Sequence, residues 1–255
     1  MTVALSDVAG FLDGFLRIAE VADESNAVNG LQVENAGRVA RIVSAVDATL
    51  ETIVGIQPGG PALLLVHHGL FWDGNVPLVG RRFRRVKALL DRDAALYSAH
   101  IPLDLHPEVG NNVELARRIG LPVEGWFGDY RGAPIGVWGT APPPIADRSA
   151  LVTILEADLG TTARLIPGGP GRVRRVGIVT GAGGSMIAAA RDAGLDTFIT
   201  GEGAHYTYFD AIEWGLNVIY AGHYATEQVG VQALARRLEA RFGLPWEFHR
   251  HPTGM

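Results

Sequence analysis

The chain has 255 residues, of which 47% are hydrophobic and 19% are charged, a composition typical of a folded globular protein. Its net charge of −5 argues against a general nucleic-acid-binding surface. It contains no cysteine, which excludes disulfides and leaves histidine and carboxylate groups as the ligands for any metal site. With no recognisable signal peptide and no apolar run long enough to cross a bilayer, we expect a cytoplasmic protein.

Helices and strands are predicted to alternate along the first half of the chain. The continuous apolar run at residues 62–66 is typical of a strand buried on both faces of a parallel sheet. Pro102 and Pro107 are expected to hold the segment after the third strand extended. Strands are predicted at 41–47, 62–66 and 94–98, and helices at 8–22, 49–56, 81–90 and 108–119.

Two adjacent histidines, His67 and His68, follow the apolar strand and precede Gly69. Adjacent residues of a strand point to opposite faces, so a single packing role does not explain both. Where the backbone turns at Gly69, both rings can reach a shared site. The alternative is a pair of loop histidines that are hydrogen-bonded to the backbone.

A basic stretch, residues 81–87, begins the next helix. We interpret it as a solvated helix face. The alternative is a contact with phosphate or with an acidic partner.

The second half of the chain repeats the alternation, so we predict an α/β protein of two similar lobes with largely parallel sheets. The lobes are expected to span residues 1–128 and 129–255, with the segment 125–144, rich in Gly, Pro and Trp, at their boundary. The glycine-rich turn at 180–185 resembles a phosphate cradle, but Met186 stands where that motif needs glycine, so a plain tight turn or a pocket wall fits better. Strands are predicted at 135–139, 173–179, 196–200 and 217–221, and helices at 147–159, 186–193 and 225–242.

The junction between the last of these strands and the last helix carries His223 and Glu227, four residues apart. This spacing places both side chains on one helical face, where a divalent metal can use them. The alternative is a glutamate favoured by the helix dipole beside a surface histidine.

Histidine and acidic residues follow four of the predicted strands. Because the carboxyl ends of parallel strands meet at one edge of a sheet, we expect these side chains to converge. Three histidines and two carboxylates suffice for two divalent ions when one carboxylate bridges them, and the resulting positive site would attract an anionic substrate. The four pairs are His67 and His68, His100 and Asp104, Glu202 and His205, and His223 and Glu227, whereas His106, His249 and His251 are interpreted as structural or incidental.

Four motifs together resemble the Nif-three-like family, whose members are also called dinuclear metal-centre proteins or type 2 homologues of GTP cyclohydrolase I. The resemblance covers essentially the whole chain. The motifs are Asn29-Gly30-Leu31-Gln32-Val33, His67-His68-Gly69-Leu70-Phe71-Trp72, the segment from Ile101 to Asn112, and Gly222-His223-Tyr224-Ala225-Thr226-Glu227.

The resemblance implies a two-metal centre with Glu227 as the bridging ligand and His100 as a further ligand or a partner of one. It also implies a hexameric ring with its metal sites facing an internal cavity, without the extra domain that some members insert mid-chain. The implied ligands are His67, His68, Asp104, His223 and Glu227. These residue types suit zinc, iron, manganese or nickel.

The sequence favours a metal-dependent hydrolase that acts on a nucleotide or another phosphorylated compound. In the form implied by the family name, water attacks C8 of GTP and either His205 or His100 carries the proton. The alternative is a ring-shaped, non-catalytic metal-binding or regulatory scaffold. A dinucleotide-binding protein using Gly181 to Gly184 is disfavoured by the incomplete motif.

Overall fold

The structure is a computed structural model that describes residues 2–255, and it has a mixed α/β fold. Its strands are β1 (Val3–Ala4), β2 (Gly30–Val33), β3 (Arg38–Val39), β4 (Arg41–Asp47), β5 (Ala62–His68), β6 (Ala94–Ser98), β7 (Gly125–Tyr130), β8 (Ala133–Thr140), β9 (Arg164–Pro167), β10 (Arg175–Val179), β11 (Thr197–Thr200), β12 (Asn217–Tyr220) and β13 (Trp246–Phe248). Its α-helices are α1 (Leu5–Phe15), α2 (Leu50–Val54), α3 (Gly80–Asp91), α4 (Ile101–Asp104), α5 (Asn111–Arg118), α6 (Arg148–Leu159), α7 (Ile187–Asp192), α8 (Thr207–Glu213) and α9 (His223–Phe242).

The described chain forms two compact units. The first contains residues 2–103 and 231–251, and the second contains 104–230 and 252–255. These units differ from the domains predicted from the sequence, 1–128 and 129–255, and that division stays a prediction.

The first unit is built on a five-stranded sheet in the order β13-β4-β5-β6-β2. The first four of these strands are parallel, and β2 is antiparallel to β6. Strand β5 lies at the centre, and its apolar residues are buried, as the continuous run predicted. Parallel pairing brings the carboxyl ends of β4, β5 and β6 to one edge, which is where His67 and His68 lie.

The second unit is built on a six-stranded sheet in the order β7-β8-β10-β11-β12-β9. Only β10, β11 and β12 are mutually parallel, and the remaining pairings are antiparallel. The sheet is mixed because the segment predicted as a lobe boundary forms the hairpin of β7 and β8, which is antiparallel to β10 at one side, and because β9 is antiparallel to β12 at the other. The hairpin turn is closed by Arg131 and Gly132, which have φ values of 53° and 89°.

Two segments differ from their predicted structure for identifiable reasons. Helix α1 ends at Phe15 and not at residue 22, because the chain turns at Arg17, which has a φ of 55°. The extended segment predicted after β6 is wrong, since Ile101–Asp104 forms one helical turn. Pro102 is tolerated there because the first turn of a helix does not need its N–H group.

Helix α9 starts at the residue that follows Gly222, and its N-terminal turn carries His223 and Glu227. Gly222 has a φ of 88°, so the chain leaves β12 and enters the helix within one residue. No helix within residues 2–255 combines the length and apolar composition that crossing a membrane requires.

Candidate metal centre

Three imidazole rings lie together at the carboxyl edge of the first sheet. His67 and His68 are the last residues of β5, and their ring centroids are 4.7 Å apart. His100 follows the neighbouring strand β6, and its ring centroid lies 5.0 Å from that of His67 and 5.7 Å from that of His68. One ring nitrogen of each residue lies within 4.8 Å of the other two. Within this unit, side chains that follow neighbouring strands therefore converge as predicted.

Each of these rings is held through its Nδ1 atom by a group that can only accept a hydrogen bond. The acceptors are the Ala99 carbonyl for His67, the Asp47 carboxylate for His68 and the Asp23 carboxylate for His100, each at 2.8 Å. Nδ1 must therefore carry the proton, and in a neutral ring the lone pair lies on Nε2, the atom that can bind a metal. Asp47 is also the register partner of His68 in the parallel pair of β4 and β5.

The turn after the two histidines is held by Gln32. Its Oε1 atom accepts a hydrogen bond from the Leu70 N–H group at 2.8 Å, and its Nε2 atom donates to the Val28 carbonyl at 2.8 Å. A Cβ atom at Gly69 would lie 2.3 Å from Gln32 Nε2, so this close approach requires glycine. Just beyond the turn, the half-buried Trp72 ring contacts the His100 ring edge-on at a centroid distance of 5.0 Å.

In the second unit, His223 and Glu227 stand one turn apart at the start of α9, as predicted. His223 Nε2 lies 3.1 Å from Glu227 Oε2, and His223 Nδ1 lies 2.8 Å from Glu202 Oε1. Burial disfavours the charged ring, but hydrogen bonds and charge interactions with Glu227 and Glu202 outweigh it and raise the pKa of His223 to about 9. The two carboxylates thus create a site that favours a positive charge.

Gly181, in the turn after β10, leaves room for the Glu227 carboxylate. It has a φ of 65°, and a Cβ atom at this position would lie 2.0 Å from Glu227 Oε1. Its N–H group donates to Thr226 Oγ1 at 3.0 Å, and Thr226 Oγ1 in turn donates to the Gly222 carbonyl at 2.9 Å. The glycine-rich turn therefore lies directly against the Glu227 carboxylate. Of the two sequence interpretations, a plain tight turn and a pocket wall, this position agrees with the second.

Asp104, the remaining predicted ligand, is buried at the end of α4. Its Oδ1 atom accepts a hydrogen bond from Asn111 Nδ2 at 2.8 Å, and Asn111 Oδ1 accepts one from the Gly230 N–H group of α9 at 2.8 Å. Asn111 thereby fixes Asp104 relative to the helix that carries His223 and Glu227. The role of Asp104 as a ligand stays a prediction.

The other histidines occupy different environments. His205 is exposed and packs edge-on against Phe209 at a centroid distance of 5.4 Å, and its proposed catalytic role stays a prediction. The buried His106 accepts backbone hydrogen bonds from Glu108 and Val109 at 3.2 and 3.3 Å, which is a structural role.

The basic stretch forms part of α3 and takes part in contacts within its own unit. Arg82 donates to the carbonyls of Val76 and Gly74, both at 2.8 Å, and Lys87 forms an ion pair with Asp91 at 2.6 Å.

Of the groups that orient the histidines, sequence reasoning named Glu202 among the converging residues but missed Asp47 and Asp23. Asp47 had a usable signal, because it is the last residue of a parallel strand next to the one that ends in His68. Asp23 had none, since it lies in a polar loop 77 residues before His100.

The available side chains fit a divalent metal. Ligand atoms held about 2.0–2.2 Å from one ion lie roughly 3 Å apart, and His223 Nε2 and Glu227 Oε2 have this separation. Imidazole nitrogens whose opposite Nδ1 atoms are held by carboxylates are characteristic of metal ligands. The fold and these groups define the molecule as a mixed α/β protein with histidine and glutamate groups that can bind metal.

The chain belongs to the DUF34/NIF3 (NGG1p interacting factor 3) family, whose model matches residues 3–252. Curated relatives named GTP cyclohydrolase 1 type 2 homolog match it along nearly their whole length. The protein from Deinococcus radiodurans is 42% identical, covering 99% of this chain and 95% of the relative. The protein from Halobacterium salinarum is 41% identical, covering 98% and 99%.

Solved structures confirm the fold over the whole chain. Protein ybgI, described as of unknown function, is similar with a TM-score of 0.89 and 35% identity, covering 99% of this chain and all of that one. TTHA1606 from Thermus thermophilus is similar with a TM-score of 0.86 and 38% identity over the same shares. The family predicted from the four sequence motifs is therefore confirmed.

Proposed function

We propose that the protein binds two divalent metal ions and acts as a metal-dependent hydrolase of a nucleotide or another phosphorylated compound. The observation that carries this proposal is the set of oriented imidazoles: His67, His68 and His223 each have Nδ1 hydrogen-bonded to an acceptor. With Asp104 and Glu227 they would form the ligand set, in which Glu227 bridges the two ions. Zinc, iron, manganese and nickel all suit such a set.

When bound, two divalent ions would lower the pKa of water and neutralise charge that develops on a substrate oxygen. The five protein ligands cannot close both coordination shells, so positions would remain for water and substrate. Because only two of these ligands are carboxylates, the loaded site would be positive and would favour an anionic substrate.

Residues around the ligands have roles of their own in this proposal. His67, His68 and His100 form an imidazole cluster, in which His100, with Nδ1 held by Asp23, presents Nε2 as a proton acceptor. The half-buried Trp72 ring beside His100 offers an aromatic surface on which a flat ring such as a purine can pack. Ring opening of GTP is the form of the reaction that the names of the curated relatives suggest.

The proposal also includes a homohexameric ring, which the family resemblance implies. A ring that bound metal but catalysed no reaction would be a binding or regulatory scaffold. Measuring metal content and turnover together distinguishes this scaffold from a hydrolase.

The test is to count metal ions and turnover on one preparation, purified without chelator, alongside Glu227→Ala. GTP and a panel of phosphoesters serve as substrates. Glu213→Ala, at an exposed position on α8, is the matched control. We expect about two metals per chain and turnover in the parent and the control, with both lost in Glu227→Ala.

Two other results would revise the proposal. Two metals without turnover on any compound would favour the scaffold. Fewer than one metal per chain after reconstitution would remove the dinuclear centre itself.

A further inference from the structure

Asp23 lies in the polar loop that follows α1 and is almost completely buried, with 6% of its side chain exposed. We propose that Asp23 is a positioning residue, which holds His100 in the tautomer that presents Nε2 to the imidazole cluster. The inference rests on the proposed metal centre for its significance, but its main test does not require metal.

The contacts of Asp23 converge on His100 and its backbone. His100 Nδ1 lies 2.8 Å from Asp23 Oδ1 and 3.1 Å from Oδ2. The Ile101 N–H group donates to Oδ2 at 3.0 Å, and Asn29 Nδ2 donates to the same oxygen at 2.7 Å. Asn29 Oδ1 in turn accepts the His100 N–H group at 2.7 Å. Asn29, which belongs to one of the four motifs that carry the family resemblance, thus supplies a second clamp on His100.

These contacts keep Asp23 ionised although it is buried. Burial alone would favour the neutral acid, but hydrogen bonds from His100 and Asn29 hold the pKa of Asp23 below its ordinary value. A buried carboxylate is expensive unless its lone pairs are used. Here they are used by the His100 ring, the Asn29 amide and the N–H groups of Ile101 and Glu24.

The remaining neighbours of His100 restrain the plane of the ring but not its protonation. Trp72, His67 and His68 contact it at centroid distances of 5.0, 5.0 and 5.7 Å. Such ring contacts are compatible with either neutral tautomer. The carboxylate at Nδ1 is compatible only with a proton on Nδ1.

A change from carboxylate to amide should therefore reverse the tautomer. In Asp23→Asn, the amide oxygen is best placed at the Oδ2 position, where it keeps the bonds from Ile101 and Asn29. The bond given up at Oδ1 comes from the exposed Glu24 N–H group, which water can satisfy. The amide NH₂ group then faces His100 Nδ1 and donates to it. The ring must respond by moving its proton to Nε2, which removes the lone pair that faces the cluster.

The first measurement is nitrogen NMR on metal-free protein labelled with ¹⁵N-histidine, at mildly alkaline pH, with the His100 signals assigned by their loss in His100→Gln. We expect the Nδ1–H form in the parent and the Nε2–H form in Asp23→Asn. Asp23→Glu keeps a carboxylate and should restore Nδ1–H. Asn29→Ala is the matched structural control, because it removes the backbone clamp and one hydrogen bond to Asp23 Oδ2 but leaves the carboxylate on Nδ1. It should lower the melting temperature without changing the tautomer.

The second measurement is metal affinity by chelator competition. If His100 acts as a further metal ligand, Asp23→Asn should lower the affinity by about 10–100-fold, the loss typical for a group that orients a ligand, whereas Asn29→Ala should not. If neither the parent nor the variants bind metal but Asp23→Asn still reverses the tautomer, the proposed metal centre is wrong. The positioning role of Asp23 is then still supported.

The inference is overturned if Asp23→Asn keeps Nδ1–H and the parent's metal affinity while only its melting temperature falls, because Asp23 would then be a loop anchor. Should that variant not fold, the parent alone decides, since an Nε2–H form of His100 in the parent contradicts the assignment.

Discussion

The two groups of proposed ligands are built in different ways. His67 and His68 end a buried parallel strand, and their orientation depends on Asp47 and on the Ala99 carbonyl, both of which follow or end neighbouring strands. His223 and Glu227 lie on the first turn of α9, and their relation is fixed by the four-residue spacing of the helix itself. One group therefore depends on strand pairing and the other on a helix start.

This difference predicts how each group should fail. The helix-borne pair, His223 and Glu227, keeps its relative geometry as long as α9 begins correctly. It should therefore be most sensitive to substitutions that fill the space beside its side chains. The strand-borne histidines are held by partners far away in sequence, so their weak point is the loss of a single hydrogen-bond acceptor.

The largest effect is expected from Gly181→Ala, which fills the space beside Glu227. The new Cβ atom would meet Glu227 Oε1 at 2.0 Å, so the carboxylate must move and metal binding should be lost. Alanine at a positive φ also lowers the free energy of unfolding by roughly 1–2 kcal/mol. Metal analysis and denaturant unfolding measure the two effects on one sample.

Gly194→Ala is the matched control. Gly194 has a φ of 68°, close to the 65° of Gly181, but a Cβ atom added there would meet no other atom within 4 Å. This variant should lose similar stability and keep its metal. Equal metal content in both variants would show that Gly181 is needed only for its backbone conformation.

Smaller effects are expected from Asp47→Asn and Glu202→Gln, which alter the acceptors at Nδ1 of His68 and His223. Each should weaken metal binding by about 10–100-fold without abolishing it. We expect Asp47→Asn to be the more damaging, because Glu227 still faces His223 in the helix-borne pair. Titration against a competing chelator gives both affinities, and a greater loss in Glu202→Gln would contradict this ranking.

The sequence predicts much of this arrangement, but not its supports. The strand that ends in His67 and His68 is predictable because an apolar run and a turn are local features. The pairing of His223 and Glu227 follows from helical periodicity alone. The supports are different, because they join residues that are far apart in sequence. Asp23 reaches His100 only through the folded loop after α1, and Asn111 bonds to Gly230 across 119 residues.

The fold shows the same division. The parallel core strands were recognisable from their composition, whereas β13 was not predicted, since it is a three-residue strand whose pairing with β4 depends on tertiary structure. The helix Ile101–Asp104 was predicted as extended because proline favours that conformation before it, and a single helical turn leaves no periodic pattern to read.

The smallest effect is expected from Tyr97→Phe. This variant tests whether the first sheet can be made less stable without a change in metal binding by the histidines that end β5. Tyr97 is fully buried in β6, and its hydroxyl group donates to Asp13 Oδ1 at 2.8 Å. Removing this bond should lower the free energy of unfolding by about 1 kcal/mol at neutral pH, because the exposed Asp13 can be rehydrated. Metal content should stay that of the parent.

The same variant should change the alkaline pH dependence of stability. Burial, and then the hydrogen bond to Asp13 and its charge, raise the pKa of Tyr97 above its ordinary value of 10.0. The folded protein therefore keeps the phenol proton above that pH, whereas the unfolded chain releases it, and stability falls by about 1.4 kcal/mol per pH unit from this group. Tyr97→Phe lacks this contribution, so urea unfolding at increasing pH should show the parent losing its advantage above pH 10 and then becoming the less stable protein. Parallel curves for the two proteins would mean that the Tyr97 hydroxyl group ionises as readily in the folded chain as in the unfolded one.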